Sequence, residues 1–252
     1  AGRIGMEYAA RAAPDGYTLF LGSAAIALVK ALYPNLGFDP IADFVPVGMM
    51  ARTQQIMVVP PDLPVSDVQG FIAYARARPG ELAFASSGVG NPPHLAAELF
   101  RAMTGTEMTH VPYRGGGPAV SDVIGGQVPL LWVSIPAAAQ HVKGGKLKAL
   151  AVSTLKRSAA FPDVPTMVEA GVPDFEVDSW YAMFVPAKTP RPAIEKLNKA
   201  LNETLADPAV KAQLLAQGSE GVGGTPESLG QVVTAELPKW AKLVREANIK
   251  AD

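Results

Sequence analysis

Cysteine is absent from the 252-residue sequence, which excludes disulfides, thiolate catalysis and cysteine-ligated zinc. Histidine is scarce, and His94, His110 and His141 are too far apart to match a metal-ligand spacing such as His-Glu-x-x-His. No apolar run approaches the roughly 20 residues that a bilayer-spanning helix needs. The sequence therefore predicts a chain without a metal site, a cofactor or a membrane-spanning helix.

The chain also lacks an excess of charge of either sign, because 22 Lys and Arg residues stand against 23 Asp and Glu residues. No basic run of five or more residues occurs, which argues against a surface that follows nucleic-acid phosphates. Apolar residues make up 48% of the chain, enough for the cores of one large domain or two of ordinary size. We expect a globular protein that does not bind nucleic acid.

Short apolar runs alternate with helical patterns over most of the chain. Leu82–Ser86 is one such run, and Val128–Ser134 is typical of a strand that is buried on both faces. Strands that alternate with helices of ten or more residues indicate a parallel sheet with helices on both faces. The predicted fold class is therefore α/β.

Two regions depart from this regular alternation. Val45–Met50 and Gln55–Val59 are predicted as two strands, and beyond Pro186 the pattern becomes helical, with no further strand expected. The predicted C-terminal helices are Arg191–Ala206, Asp207–Gln217 and a largely helical stretch over Pro226–Asn248.

Small polar residues follow several predicted strands, and open α/β sheets bind ligands at such strand ends. Gly22 and Ser23 follow the first strand, and Ser86–Gly90 follows Leu82–Ser86. The loop Ser86–Gly90 combines hydroxyls, glycines and a following helix start, a combination that favours an anion. A capped helix with flexible turn residues accounts for the same loop equally well.

A second loop has similar features. Tyr113 and Arg114 precede Gly115–Gly117, whose backbone amides lie at a predicted helix start. Arg114 could pair with a carboxylate through its guanidinium fork, or lie at the surface. Farther along the chain, Asp178 and Trp180 lie in an aromatic segment of the kind that lines ligand sites, although Trp180 fits a core position equally well.

An enzyme remains the alternative to a binding protein. A hydrolase could be assembled from Ser86 or Ser87 with His94 and Asp178, but the Gly-x-Ser-x-Gly elbow is absent. His94 could also satisfy a loop carbonyl instead of a ligand. An esterase or decarboxylase on an α/β scaffold therefore stays open, whereas a ligand-sensing regulator would need a DNA-binding helix-turn-helix that the sequence lacks.

Several segments, taken in order along essentially the whole chain, resemble the extracytoplasmic solute receptors of tripartite tricarboxylate transporters, the Bug family. The segments are Ala12–Leu19, Ser86–Gly90, His110–Gly115, Gly125–Val128, Lys143–Val152, Pro162–Thr166 and Pro186–Pro190. The resemblance implies a periplasmic binding protein fold of type II, with two doubly wound lobes joined by two crossing strands. Lobe one would comprise residues 1–55 and 182–252, and lobe two residues 56–181.

The resemblance also implies a function: a monomeric periplasmic receptor that captures a small carboxylate in an interdomain cleft by hinge closure. Such a receptor delivers the carboxylate to the membrane subunits of its transporter and performs no chemistry on it. The implied ligand-binding residues are Gly22, Ser23, Ser86, Ser87, Gly88, Gly90, His94, Tyr113, Gly115, Gly116, Ser134, Asp178 and Trp180. Family members carry a strand and a Pro-Gly-Gly loop ahead of the segment at Ala13–Tyr17, and neither that strand and loop nor a signal peptide is expected in this chain.

Overall fold

The computed structural model describes residues 2–33, 35–246 and 249. The helices are α1 Arg3–Ala10, α2 Ala25–Leu32, α3 Val68–Arg76, α4 Pro92–Thr104, α5 Gly116–Ile124, α6 Ile135–Lys143, α7 Arg191–Ala206, α8 Pro208–Ala216 and α9 Pro226–Glu246. The strands are β1 Phe20–Ser23, β2 Phe44–Val59, β3 Leu82–Ser86, β4 Met108–Pro112, β5 Leu130–Ser134, β6 Lys148–Val152, β7 Asp178–Pro186 and β8 Ser219–Gly223. Within these described residues, none of the helices is both long enough and apolar enough to cross a membrane.

The chain divides into two compact units. Unit 1 comprises Ala1–Arg52, Trp180–Leu214 and Glu220–Asp252, and unit 2 comprises Thr53–Ser179 and Leu215–Ser219. The chain therefore passes between the units within β2, within β7, near the end of α8 and after the first residue of β8.

Unit 1 pairs β1 with β7 in antiparallel register, with Phe20 opposite Phe184. Helix α2 packs along α9, because the α2 sequence is apolar almost all round and six of its eight residues are buried. A small cluster of Val47, Val185 and Ile194 fixes α7 to the adjoining strands.

Unit 2 contains a mixed sheet. Strand β3 pairs in parallel with both β4 and β5, whereas β2 pairs antiparallel with β5 and β6. The parallel strands β3, β4 and β5 therefore end at one edge of the sheet, which places the loops that follow them side by side.

Both faces of the unit 2 sheet are covered. On one face, α5 and α6 pack against Ile56, Leu131 and Val133. On the other face, the Trp132 ring lies 6.2 Å from that of Phe100 in α4. This double covering explains why the first four residues of β5, Leu130–Val133, are all apolar.

The structure confirms the predicted α/β class and differs from two predictions of detail. The two predicted strands at Val45–Met50 and Gln55–Val59 form the single 16-residue strand β2, because Ala51 and Thr53 between them are buried and continue the alternation. A strand, β8, also lies in the C-terminal region that was predicted to be helical. The last predicted helical residue, Asn248, lies outside the described residues.

Candidate functional site

Three loops of unit 2 meet at the edge where β3, β4 and β5 end. The Tyr113 amide, just after β4, donates a 3.0 Å hydrogen bond to the carbonyl of Ser86, the last residue of β3. A Cβ atom at Gly116 would lie only 3.2 Å from Val133 Cγ2 and Ala137 Cβ, so α5 begins close against the end of β5 and the start of α6. The predicted residues Ser86–Gly90, Tyr113, Gly115, Gly116 and Ser134 are thus brought to one edge.

The three helices that begin at this edge differ in the amide donors they can offer. The first turn of a helix has N–H groups with no partner inside the helix, and its dipole favours negative charge. Helix α4 begins with Pro92 and Pro93, which have no N–H, whereas α5 begins with Gly116 and Gly117, which do. Gly115 caps α5 at a φ of 121°, a conformation that side chains rarely adopt. Helix α5 therefore offers an anion the better-exposed pair of amides.

Two histidines, His94 and His110, make hydrogen bonds that fix the loop between β3 and α4. Ser86 is fully buried, and its hydroxyl lies 2.7 Å from His110 Nε2 and accepts a 3.2 Å hydrogen bond from the Gly88 amide. The Gly90 amide donates to His94 Nδ1 at 3.1 Å. With these contacts, Ser86 and His94 shape the loop, and the half-buried residues Ser87 and Gly88 form its outer part.

The two histidine rings stack on each other with their centroids 4.0 Å apart, and His110 also stacks on Phe84 at 4.8 Å. Burial, assisted by the neighbouring His94, lowers the pKa of His110 to about 3. An imidazole with so low a pKa is a weak general base at neutral pH. The close approach of Ser86 and His110 is therefore a structural hydrogen bond rather than an activated serine.

A partly buried ion pair within α4 supports His94. Glu98 lies 3.5 Å from His94 Nε2 and accepts hydrogen bonds of 2.9 and 2.8 Å from Arg101. Burial acts to raise the pKa of Glu98, but the hydrogen bond with His94 and the charge of Arg101 outweigh it, and the pKa is lowered. Neither His110 nor Glu98 was among the residues predicted from the sequence. The role of His110 depends on a contact between β4 and α4, whereas the spacing of Glu98 from His94 and Arg101 on one helix was a signal that could have found it.

Tyr113 is oriented by the helix that follows it, α5. Its hydroxyl donates a 2.7 Å hydrogen bond to Asp122 in α5, and burial together with this carboxylate raises the pKa of Tyr113 to about 12. Arg114 is exposed. Ser134 is half-buried at the N-terminus of α6, and its hydroxyl makes no capping hydrogen bond.

The remaining predicted residues belong to β1 and β7. Gly22 and Ser23 end β1 in unit 1, where Gly22 is buried against Phe184. Trp180 is a fully buried residue of unit 1, and its indole N–H donates a 2.9 Å hydrogen bond to Glu236. Asp178 is half-buried at the start of β7. In the described part of the chain, no three His, Asp or Glu side chains are grouped closely enough to hold a metal ion.

The family model of the tripartite tricarboxylate transporter family receptor matches residues 1–249. The chain belongs to this receptor family. The prediction of a Bug-type receptor is thereby confirmed, as is the prediction that the chain is a binding protein and not an enzyme.

Individual relatives agree with this assignment. Protein BugT of Bordetella pertussis is 39% identical over 251 residues, which cover 99% of this chain and 77% of BugT. Among solved structures, R. palustris Rpa4515 with adipate matches with a TM-score of 0.94 and 37% identity, over 99% of this chain and 84% of that one. The periplasmic binding protein BugD matches with a TM-score of 0.92 and 33% identity, over 100% of this chain and 85% of BugD. These matches confirm the predicted periplasmic binding protein fold.

Proposed function

We propose that this receptor captures a small carboxylate at the edge of unit 2 where β3, β4 and β5 end. The carboxylate accepts hydrogen bonds from the Ser87 and Val89 amides of the loop after β3 and from the first turn of α5 at Gly115 and Gly116. The Gly88 and Gly90 amides shape the loop instead, because they donate to Ser86 Oγ and His94 Nδ1. Ser134 adds a hydroxyl donor at the start of α6. The other residues predicted from the sequence, Gly22, Ser23, Asp178 and Trp180, stay predictions.

The observation that carries this proposal is the meeting of three strand-to-helix loops at one edge, joined by the hydrogen bond from the Tyr113 amide to the Ser86 carbonyl. Backbone amides and helix dipoles at such an edge favour an anion over a neutral or cationic solute. The adipate bound to R. palustris Rpa4515 supports a carboxylate in particular.

The same reasoning extends to location and partners. We propose that the receptor is a monomer that works in the periplasm and passes its solute to the membrane subunits of a tripartite tricarboxylate transporter. The family description and the periplasmic relative BugD support this assignment. The near-neutral charge balance also fits a protein that binds a small solute rather than a polyanion.

The test is a thermal-shift screen followed by calorimetry with monocarboxylates, dicarboxylates, tricarboxylates and uncharged controls. A solute present at 100 times its Kd adds about 2.7 kcal/mol to the free energy of unfolding, which is easily measured. We expect a shift with one class of acid, no shift with the corresponding amides, and no consumption of the acid. If every acid leaves the unfolding midpoint unchanged, the proposed function is wrong.

A further inference from the structure

A buried glutamine in β2 has no partner for its side chain. Gln55 is 0% exposed, and within the described residues neither its Nε2 nor its Oε1 has a hydrogen-bond partner. The backbone of Gln55, in contrast, is hydrogen-bonded at both of its polar groups. Its N–H donates to Ser153 Oγ and its carbonyl accepts from the backbone N–H of Ser153, both at 2.9 Å. The backbone anchors the residue while both polar groups of the side chain stay unsatisfied.

The position of Gln55 relates it to the candidate site. Gln55 lies directly opposite Ser134, the residue that immediately precedes α6. Residues paired across an antiparallel ladder point to the same face of the sheet, so the side chains of Gln55 and Ser134 share a face. On that same face, the next pair brings Trp132 together with Met57, and Trp132 lies near Phe100 of α4. Gln55 therefore belongs to the face that α4 covers, at the edge where β5 ends.

The local sequence gives Gln55 no structural reason to be polar. The four residues that follow it, Ile56–Val59, are all apolar and fully buried, and an aliphatic side chain at position 55 would continue this core. An unpaired amide buried away from water destabilises the folded state, and such groups in native proteins call for a partner. The fully buried Trp132 Nε1 on the same face is also unpaired.

We propose that Gln55 is a specificity-determining contact of the receptor for a hydroxyl-bearing carboxylate. Nε2 donates to a carboxylate oxygen of the solute, and Oε1 accepts from its hydroxyl group. A solute with both an acceptor and a donor satisfies both ends of the amide, whereas a plain carboxylate leaves Oε1 unpaired. This inference rests on the proposed function, since it assigns a role within the same carboxylate site.

The experiment compares malate with succinate, which differ by one hydroxyl group, by calorimetry on the wild-type chain and on Gln55→Leu. We expect the wild type to bind malate more tightly than succinate. In Gln55→Leu the affinity for malate should fall tenfold or more, and the two acids should then bind almost equally. Gln55→Met is a second variant for the case that the leucine is poorly accommodated.

Gln54→Leu is the matched control, because Gln54 is the adjacent amide, points to the opposite face, and donates to the Lys156 carbonyl at 3.2 Å. This control should bind both acids as the wild type does. Urea unfolding of each solute-free variant verifies the fold, and loss of the unpaired Gln55 amide should leave the midpoint unchanged or raise it.

Two outcomes would overturn the inference while the proposed function stands. One is unchanged binding of malate by Gln55→Leu with a lowered unfolding midpoint, which would assign the amide to an internal network with Trp132. The other is a wild-type chain that binds succinate or adipate but shows no preference for malate. If the wild type binds none of these acids, the proposed function itself fails and the inference fails with it.

Discussion

The backbone amide of Gly90 donates its hydrogen bond to Nδ1 of His94, four residues later, in the first turn of α4. Because Nδ1 accepts this bond, it carries no proton in this arrangement, and the ring proton lies on Nε2, 3.5 Å from Glu98. The histidine thus connects the binding loop to a buried ion pair with Arg101. The shape of the loop depends on a side chain that need not touch the solute itself.

We expect His94→Leu to lower the free energy of unfolding by about 1–3 kcal/mol, because it leaves the buried Gly90 amide without an acceptor. It should also weaken binding of any acid that the wild type binds. His94→Asn is the matched variant, since the Asn oxygen can accept the same hydrogen bond and should restore part of both losses. Urea unfolding and calorimetry measure the two effects, and equal losses in both variants would contradict the role of Nδ1.

His110 predicts a loss of stability in acid. Its pKa is lowered to about 3 in the folded chain from an ordinary value of 6.5, chiefly by burial. Between these values the unfolded chain binds a proton that the folded chain does not, so stability falls as the pH falls through this range. The contribution of one such group is at most about 1.4 kcal/mol per pH unit.

The variant that tests this prediction is His110→Gln, which does not titrate but can still reach Ser86 Oγ. Urea unfolding at a series of pH values from 7 to 4 should show a shallower dependence on pH in the variant than in the wild type. Glu98, whose pKa is also lowered, loses its stabilising contribution only below its ordinary value of 4.5, so the range from 6.5 to 4.5 isolates His110. If the free energy of unfolding depended on pH equally steeply in the two proteins over that range, the prediction would be wrong.

Tyr113 links the loop after β4 to α5 through Asp122. Removal of this charge-assisted hydrogen bond in Tyr113→Phe should cost about 1–2 kcal/mol of the free energy of unfolding. Tyr17, which is 90% exposed, provides the control, and Tyr17→Phe should leave stability unchanged. Spectroscopic titration should also show that the wild type and Tyr113→Phe ionise alike around pH 10, because the pKa of Tyr113 is raised to about 12, and a step at pH 10 that is lost in Tyr113→Phe would be inconsistent with the structure.

The strands of unit 2 could be predicted from the sequence, but which strands pair with each other in the sheet could not. Leu82–Ser86 was predicted with the bounds of β3, because an apolar run between turn residues leaves little choice. The 16-residue β2 was missed, because Arg52 and Gln54 interrupt the apolar pattern and resemble a break when read along one chain.

The same limit applies to the candidate site. The loop at Ser86–Gly90 was visible in the sequence as small residues before a helix, but the engagement of Ser86 by His110 spans 24 residues. Gln55 was missed although a signal existed: it is a polar residue at the start of a run of buried apolar ones in a strand. Local pattern identifies loops and strands, whereas the roles of individual polar groups depend on strand register.

Gly88 occupies the outer part of the binding loop with a φ of 128°, outside the range that residues with a Cβ atom readily adopt. A Cβ atom there would lie 3.3 Å from both the Tyr113 carbonyl oxygen and Asn91 Nδ2. Gly88→Ala should therefore cost about 1–3 kcal/mol of stability through backbone strain. It should also shift the loop that carries the Ser87 and Val89 amides, and so weaken binding of any acid that the wild type binds.

A substitution at Gly80 is the control that separates the effect of backbone strain on stability from the effect on solute binding. It also has a positive φ, 75°, but a Cβ atom there would meet nothing within 4 Å, and it lies in the turn between α3 and β3. Gly80→Ala should lower the unfolding midpoint and leave the affinity for acids unchanged, whereas Gly88→Ala should change both. If calorimetry gave Gly88→Ala the affinity of the wild type, the amides of this loop would not be donors to the solute, since a shift of the loop would otherwise be felt directly in binding.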